Sequence, residues 1–123
     1  MSIEFGDKLR ARRRAAGVSQ RKLAELAGVD FSYISKIENG RIPAPAAETV
    51  VRFAEHLNCP VEELLAAARK LPNSVGASVS SDPSAVRFLQ EASELELTSE
   101  EWEAMRGSLR GLRSGVKRRR RKP

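Results

Sequence analysis

Phe31, Ser32, Ser35 and Lys36 fall on one side of a single predicted helix, with Ser32 and Lys36 one turn apart. Short hydroxyls, one cation and one aromatic ring suit a DNA major groove, which presents hydrogen-bond groups and thymine methyls. Phe31 can neither donate nor accept a hydrogen bond, so its chemistry there is contact with a thymine methyl. Catalysis finds little support. His56 and Cys59, the one histidine and one cysteine of the chain, stand three apart near the predicted end of a later helix. Two ligands do not make a metal site, and no second histidine or cysteine exists to extend them. Glu100 and Glu101 open a helix, where the helix dipole accounts for them without acid–base work. No glycine-rich loop is present to cradle a phosphate. The expectation is a protein that is no enzyme and needs no cofactor and no metal.

The elements that must position the polar face are short and well punctuated. Ser19 is a good N-cap for a helix over Gln20 to Ala27, with Leu23, Ala24, Leu26 and Ala27 as its apolar side. Ala24 is small where a second helix would cross it. Gly28 follows the last periodic residue, where glycine adopts a left-handed conformation cheaply. Asp30 then caps a second helix over about Phe31 to Asn39, whose buried edge is Ile34 and Ile37. Gly40 stops that helix, and Arg41 sets a cation where a phosphate could lie. Two helices joined by a tight turn, with one polar outward face, form the layout of a helix-turn-helix reader.

Over roughly residues 3 to 71 the chain resembles the Cro/CI-like (XRE-type) helix-turn-helix family. The resemblance rests on Phe5-Gly6, Leu9, Arg13, Gly17-Val18-Ser19-Gln20, Leu23-Ala24, Ala27-Gly28-Val29, Tyr33-Ile34-Ser35, Ile37-Glu38-Asn39-Gly40 and Pro43. The segment Glu48 to Leu65 is similar to that family's fourth and fifth helices. The implied fold class is all-α, a five-helix lambda-repressor-like domain. The resemblance also implies roles. Phe31, Ser32, Ser35 and Lys36 face base edges. Gln20, Arg21, Tyr33, Asn39 and Arg41 lie towards the DNA backbone, Gln20 also helping to orient the reading helix and Tyr33 being as well suited to packing on a neighbouring helix. Arg13 and Glu38 match a partly buried ion pair that positions the reading helix. Arg12 departs from the pattern, standing where an apolar residue is common; it either snorkels towards a phosphate or covers the core edge.

Composition agrees with this reading. The chain has 123 residues, room for one ordinary domain or a small domain with an appendage. A single cysteine fits a reducing cytosol, and no apolar run approaches the length of a membrane span, so the expected location is cytoplasmic. The formal net charge is +6, and the run Lys117 to Lys122, KRRRRK, equals it alone. Such a run is expected to be disordered and, on a nucleic-acid binder, to add phosphate contacts.

Beyond residue 71 the pattern changes. Pro72 to Ser84 is rich in Ser, Gly and Pro, with no lasting helical period, and reads as a linker. Asp82 or Ser84, beside Pro83, starts a helix to about Glu94, with Ala85, Phe88, Leu89, Ala92 and Leu95 on one face. Thr98 and Glu101 have capping-box spacing, and the helix they open carries Trp102, Met105, Leu109 and Leu112 as a narrow coiled-coil-like seam. Two such helices make no self-sufficient core. The expected organisation is a DNA-binding domain over 1–71, a linker over 72–84, an oligomerisation segment over 85–115 and a basic tail over 116–123. Phe88, Leu89, Leu95, Trp102, Met105, Leu109 and Leu112 are its expected homodimer contacts.

Together these features predict a sequence-specific regulator that binds double-stranded DNA at an inverted-repeat operator. The resemblance implies a setting in phage, mobile-element or defence operons. It also implies a route of relief: cleavage or sequestration of the C-terminal part, including by an ImmA-type metallopeptidase. The competing reading is an antitoxin whose C-terminal helices bind a toxin while the N-terminal domain autoregulates. A third is a nucleic-acid binder led by the basic tail.

Overall fold

The computed structural model describes residues 3–120, with side-chain burial for residues 4–112. Within them the chain is all-helical: α1 (Ile3–Ala15), α2 (Gln20–Ala27), α3 (Phe31–Glu38), α4 (Ala47–Leu57), α5 (Val61–Ala68), α6 (Asn73–Ser80), α7 (Pro83–Leu95) and α8 (Ser99–Arg120). It divides into two units, the first ending at Ala77 and the second beginning at Ser78.

In the first unit, α1 packs on α3 and α5, α2 on α3 and α4, and α4 on α5. The contacts follow from helical spacing. On α1 the buried positions Phe5, Leu9 and Arg13 recur every four residues; on α3 they are Ile34, Ile37 and Glu38. Both apolar stripes therefore end in a buried charge, and the two charges meet. Leu23, Val50, Phe53 and Leu64 complete the centre of the core with no exposed surface. Gly6 sets the approach of α1 to α3: a Cβ there would stand 2.5 Å from the Ile37 carbonyl oxygen and 2.8 Å from that of Glu38. Only hydrogen fits between those backbones.

Arg12 is neither directed at a phosphate nor simply laid on the core edge. It clips α1 to α5 through two hydrogen bonds to Glu63, at 2.6 and 2.7 Å. The hydrogen bonds to Glu63 hold Arg12 above its ordinary pKa, and the same bonds hold Glu63 below the usual carboxylate value.

Two of the expected boundaries need correction. The 72–84 segment is not irregular throughout, because α6 occupies Asn73–Ser80. The Pro72 carbonyl accepts from the N–H groups of Val75 and Gly76, and the Asn73 amide donates to Glu48 at the start of α4. One local and one long-range contact thus hold the start of a helix that side-chain periodicity does not announce. The final helix runs past 115 to Arg120, so residues 116–120 of the expected disordered tail are helical; the rest of that tail, residues 121–123, lies outside the described residues.

The second unit opens as its caps predict. Asp82 accepts from the Ser84 N–H at 2.8 Å, with Pro83 in the first turn of α7. Thr98 and Glu101 form a reciprocal capping box at 2.8 and 3.1 Å. Its burial is sparse: Ala92 is its one buried hydrophobic residue among those described. Among the described residues no helix is long and apolar enough to cross a membrane.

Candidate nucleic-acid interface

The turn between α2 and α3 is built from backbone and caps. Ser19 Oγ accepts from the Lys22 N–H at 3.0 Å. Gly28 is left-handed, at φ 73°, and the Val29 N–H then reaches the Ala24 carbonyl at 2.9 Å, closing α2. Asp30 occupies the N-cap position of α3, yet its side chain accepts no backbone N–H there. Its Oδ2 takes a hydrogen bond from Ser32 Oγ at 3.2 Å instead, and the Asp30 carbonyl receives the Tyr33 and Ile34 N–H groups. The expected side-chain cap is thus replaced by a hydroxyl two residues along, which also orients Ser32.

A buried charge network fixes α3 against α1 and α2. Arg13 and Glu38 form a bidentate pair, Nε to Oε2 at 2.7 Å and Nη2 to Oε1 at 2.9 Å. The third arm of Arg13, Nη1, donates to the Val18 carbonyl at 2.9 Å, tying down the α1–α2 connection. Gln20 Nε2 donates to Glu38 Oε1 at 2.9 Å, so this amide is engaged inside the protein. Arg10 adds Nη2 bonds to the Glu38 carbonyl and to Asn39 Oδ1, both at 3.0 Å. Burial pushes the Glu38 carboxyl upward, but hydrogen bonds from Arg13, Gln20 and Arg10 and the charge of Arg13 outweigh it, and its pKa lies below the ordinary value. Arg13 is correspondingly raised, chiefly by its hydrogen bonds to Glu38. Every buried side-chain polar atom among the described residues has a partner. Such a network positions an element; it is not arranged for proton transfer.

The outward side of α3 follows its sequence. Ser32 and Lys36 are exposed, Ser35 is half-buried, and Phe31 is 37% exposed at the first helical position. Tyr33 packs against the core, and Asn39 and Arg41 are exposed beyond the helix end. Arg21, from the first turn of α2, lies over the Phe31 ring with its guanidinium carbon 4.4 Å from the centroid. Arg10, Arg13, Arg14, Ser19, Gln20, Arg21 and Phe31 line one open depression where α1, α2 and α3 converge. Sequence reasoning did not single out Arg10. Its only local signal is its place one turn before Arg13, on the side of α1 that faces the end of α3.

His56 is exposed in the last turn of α4, whereas Cys59 is half-buried against the core, and burial raises its thiol pKa. Among the described residues no cluster of three or more His, Cys, Asp or Glu side chains is placed to hold a metal ion.

In the second unit, five of the expected contact residues come together. Phe88, Trp102, Met105, Leu109 and Leu112 line one apolar groove between α7 and α8. Leu89 instead joins Val79 and Val86 in a separate groove, and Leu95, 71% exposed, lines neither.

Two helices crossing over a glycine turn, the second locked by a buried ion pair and presenting an exposed polar face, define a helix-turn-helix domain. Residues 4–67, a little over half of the chain, match the family described as helix-turn-helix domain, and the chain belongs to that family. The membership agrees with the Cro/CI-like resemblance. The chain is similar to the HTH-type transcriptional regulator RghRB of Bacillus subtilis, 42% identical over 64 residues, which cover 52% of this chain and 46% of that protein. It is also similar to the HTH-type transcriptional repressor RghR of the same organism, 39% identical over 61 residues, covering 50% and 45%. The matched segment spans a little under half the length of each of these relatives. Among solved structures it is similar to the restriction-modification controller protein C.AhdI from Aeromonas hydrophila, with 35% identity, 51% of this chain and 94% of that chain covered, and a TM-score of 0.48.

Proposed function

We propose that this protein is a sequence-specific, double-stranded-DNA-binding transcriptional regulator and no enzyme. It acts in the cytoplasm as a homodimeric repressor of an inverted-repeat operator, in a phage, mobile-element or defence operon and near its own gene. The observation that carries the reading is the pairing of a locked back with an open front on α3. Arg13, Glu38 and Gln20 fix the helix from behind, while Phe31, Ser32 and Lys36 stay exposed for base edges. The names of the Bacillus relatives, a regulator and a repressor, point the same way.

A two-fold dimer sets two recognition helices on half-sites about one DNA turn apart. The groove formed by Phe88, Trp102, Met105, Leu109 and Leu112 supports the dimer, since an isolated chain leaves it in water. Relief would come through the C-terminal part, by an ImmA-type metallopeptidase or by sequestration. The antitoxin reading uses the same groove for a toxin, and predicts a second unit that orders only with that different protein.

The test is a fluorescence-anisotropy titration of the intact chain at near-physiological salt, on the DNA upstream of its gene and on a scrambled duplex. The reading expects a preference of about a thousandfold or more, weakened by Lys36→Ala. Equal binding to both duplexes, unchanged by Lys36→Ala, contradicts it.

A further inference from the structure

Arg21 stands at a position first assigned to the DNA backbone, but its geometry suits another task. The guanidinium carbon lies over the Phe31 ring, 4.4 Å from its centroid. Phe31 is the first residue of α3, and the N-terminal residues of a recognition helix are those that reach base edges. Contact with the ring spends none of the guanidinium N–H donors in a conventional hydrogen bond. Among the described residues, no carboxylate pairs with Arg21, in contrast to Arg10, Arg12 and Arg13 on the neighbouring helix.

We infer that Arg21 and Phe31 form one composite base reader, specific for a guanine with a thymine at the neighbouring position. This rests on the DNA-binding reading above. An arginine edge matches guanine O6 and N7 with two parallel hydrogen bonds, and the thymine C5 methyl is the apolar group of the major groove. The stack supplies what a free surface arginine lacks: Phe31 holds the guanidinium in one orientation before DNA arrives, so less rotamer freedom is lost on binding. The same ring then presents its edge to the adjacent methyl. Arg21 therefore determines sequence, rather than contributing only a charge to a phosphate, and Phe31 both reads and positions.

The experiment is selection of binding sites from a randomised duplex library with the intact chain, repeated with Arg21→Ala and Phe31→Ala. Circular dichroism melting checks that each variant is folded. The expected wild-type motif contains adjacent thymine and guanine. Arg21→Ala loses the guanine preference, a change of about tenfold to a hundredfold in discrimination at that position, with the other positions retained. Phe31→Ala loses the thymine preference and weakens that for guanine. On the selected duplex, replacing the thymine with uracil, which lacks the methyl, weakens wild-type binding but not that of Phe31→Ala. A clear wild-type motif whose every position survives Arg21→Ala, with affinity lowered uniformly, overturns the composite reader and leaves the regulator reading standing. No motif with the wild-type chain overturns both.

Discussion

The two units of this chain place their large apolar side chains in opposite ways. In the first, Phe5, Leu9, Leu23, Ile34, Ile37, Val50, Phe53 and Leu64 are fully buried. In the second, Phe88, Leu89, Leu95, Trp102, Met105, Leu109 and Leu112 remain 38–71% exposed. The first unit closes around five helices and can bury even a charge, because that charge has all its partners. The second has two main helices with stripes too narrow to cover each other. The contrast separates a part whose rigidity is internal from a part whose large apolar side chains its own helices leave exposed.

The heaviest blow to this contrast falls on the buried charge. Glu38→Ala leaves Arg13 buried without its carboxylate and releases Gln20 and Arg10. The expected loss is about 3–5 kcal/mol of stability, read by denaturant unfolding of the intact chain, and it falls on the first unit.

Acid probes the same group more gently. The folded pKa of Glu38 lies below its ordinary value of 4.5, so its stabilisation is present above that value and is lost as pH falls through the folded value. Melting temperature should drop on acidification below about 4.5, and Glu38→Gln should flatten that dependence. Glu63, lowered by its hydrogen bonds to Arg12, adds to the slope with the same sign.

Changes in the second unit should leave unfolding of the first untouched. Trp102→Ala is expected to weaken the proposed dimer by about 2 kcal/mol or more, seen as a shift towards the 13.6 kDa monomer in sedimentation velocity. Lys36→Ala alters neither fold nor assembly; it should cost about 1–3 kcal/mol of discrimination, measured by anisotropy on matched and mismatched duplexes. The smallest effect belongs to Arg12→Ala. Its pair with Glu63 is partly exposed, at 35% and 33%, so a slight fall in melting temperature is expected, with DNA binding unchanged.

What was legible in the sequence had a local cause. Ser19, Gly28, Asp82 and the Thr98/Glu101 box mark helix ends because caps act within three or four residues, and the 3.6-residue period marks the faces between them. The reader hairpin followed from these, and the all-helical class from the family resemblance that its residues carry. Features that depend on distant partners were not legible. Glu63, the partner of Arg12, lies 51 positions along the chain, and nothing near either residue announces the other. Gln20 was expected to help orient the reading helix, but the atom through which it does so, a carboxylate oxygen of Glu38, lies 18 positions away. Asp30 was placed correctly at a helix start, but its side-chain bond went to a hydroxyl rather than to the backbone. Helix α6 was missed because its Ser- and Gly-rich composition hides a start made by the Pro72 carbonyl and Glu48.

The central claim is that a self-sufficient reading unit is joined in pairs by a unit that leaves its own apolar face open. It is tested most directly by titrating the intact chain onto a duplex carrying two copies of its selected half-site, and onto the same duplex with one copy scrambled. The account predicts cooperative filling of the two-site duplex and a loss of affinity well beyond twofold when one copy is removed, a loss that Trp102→Ala abolishes. Independent filling of the two sites, with the same affinity as the single site, would contradict it.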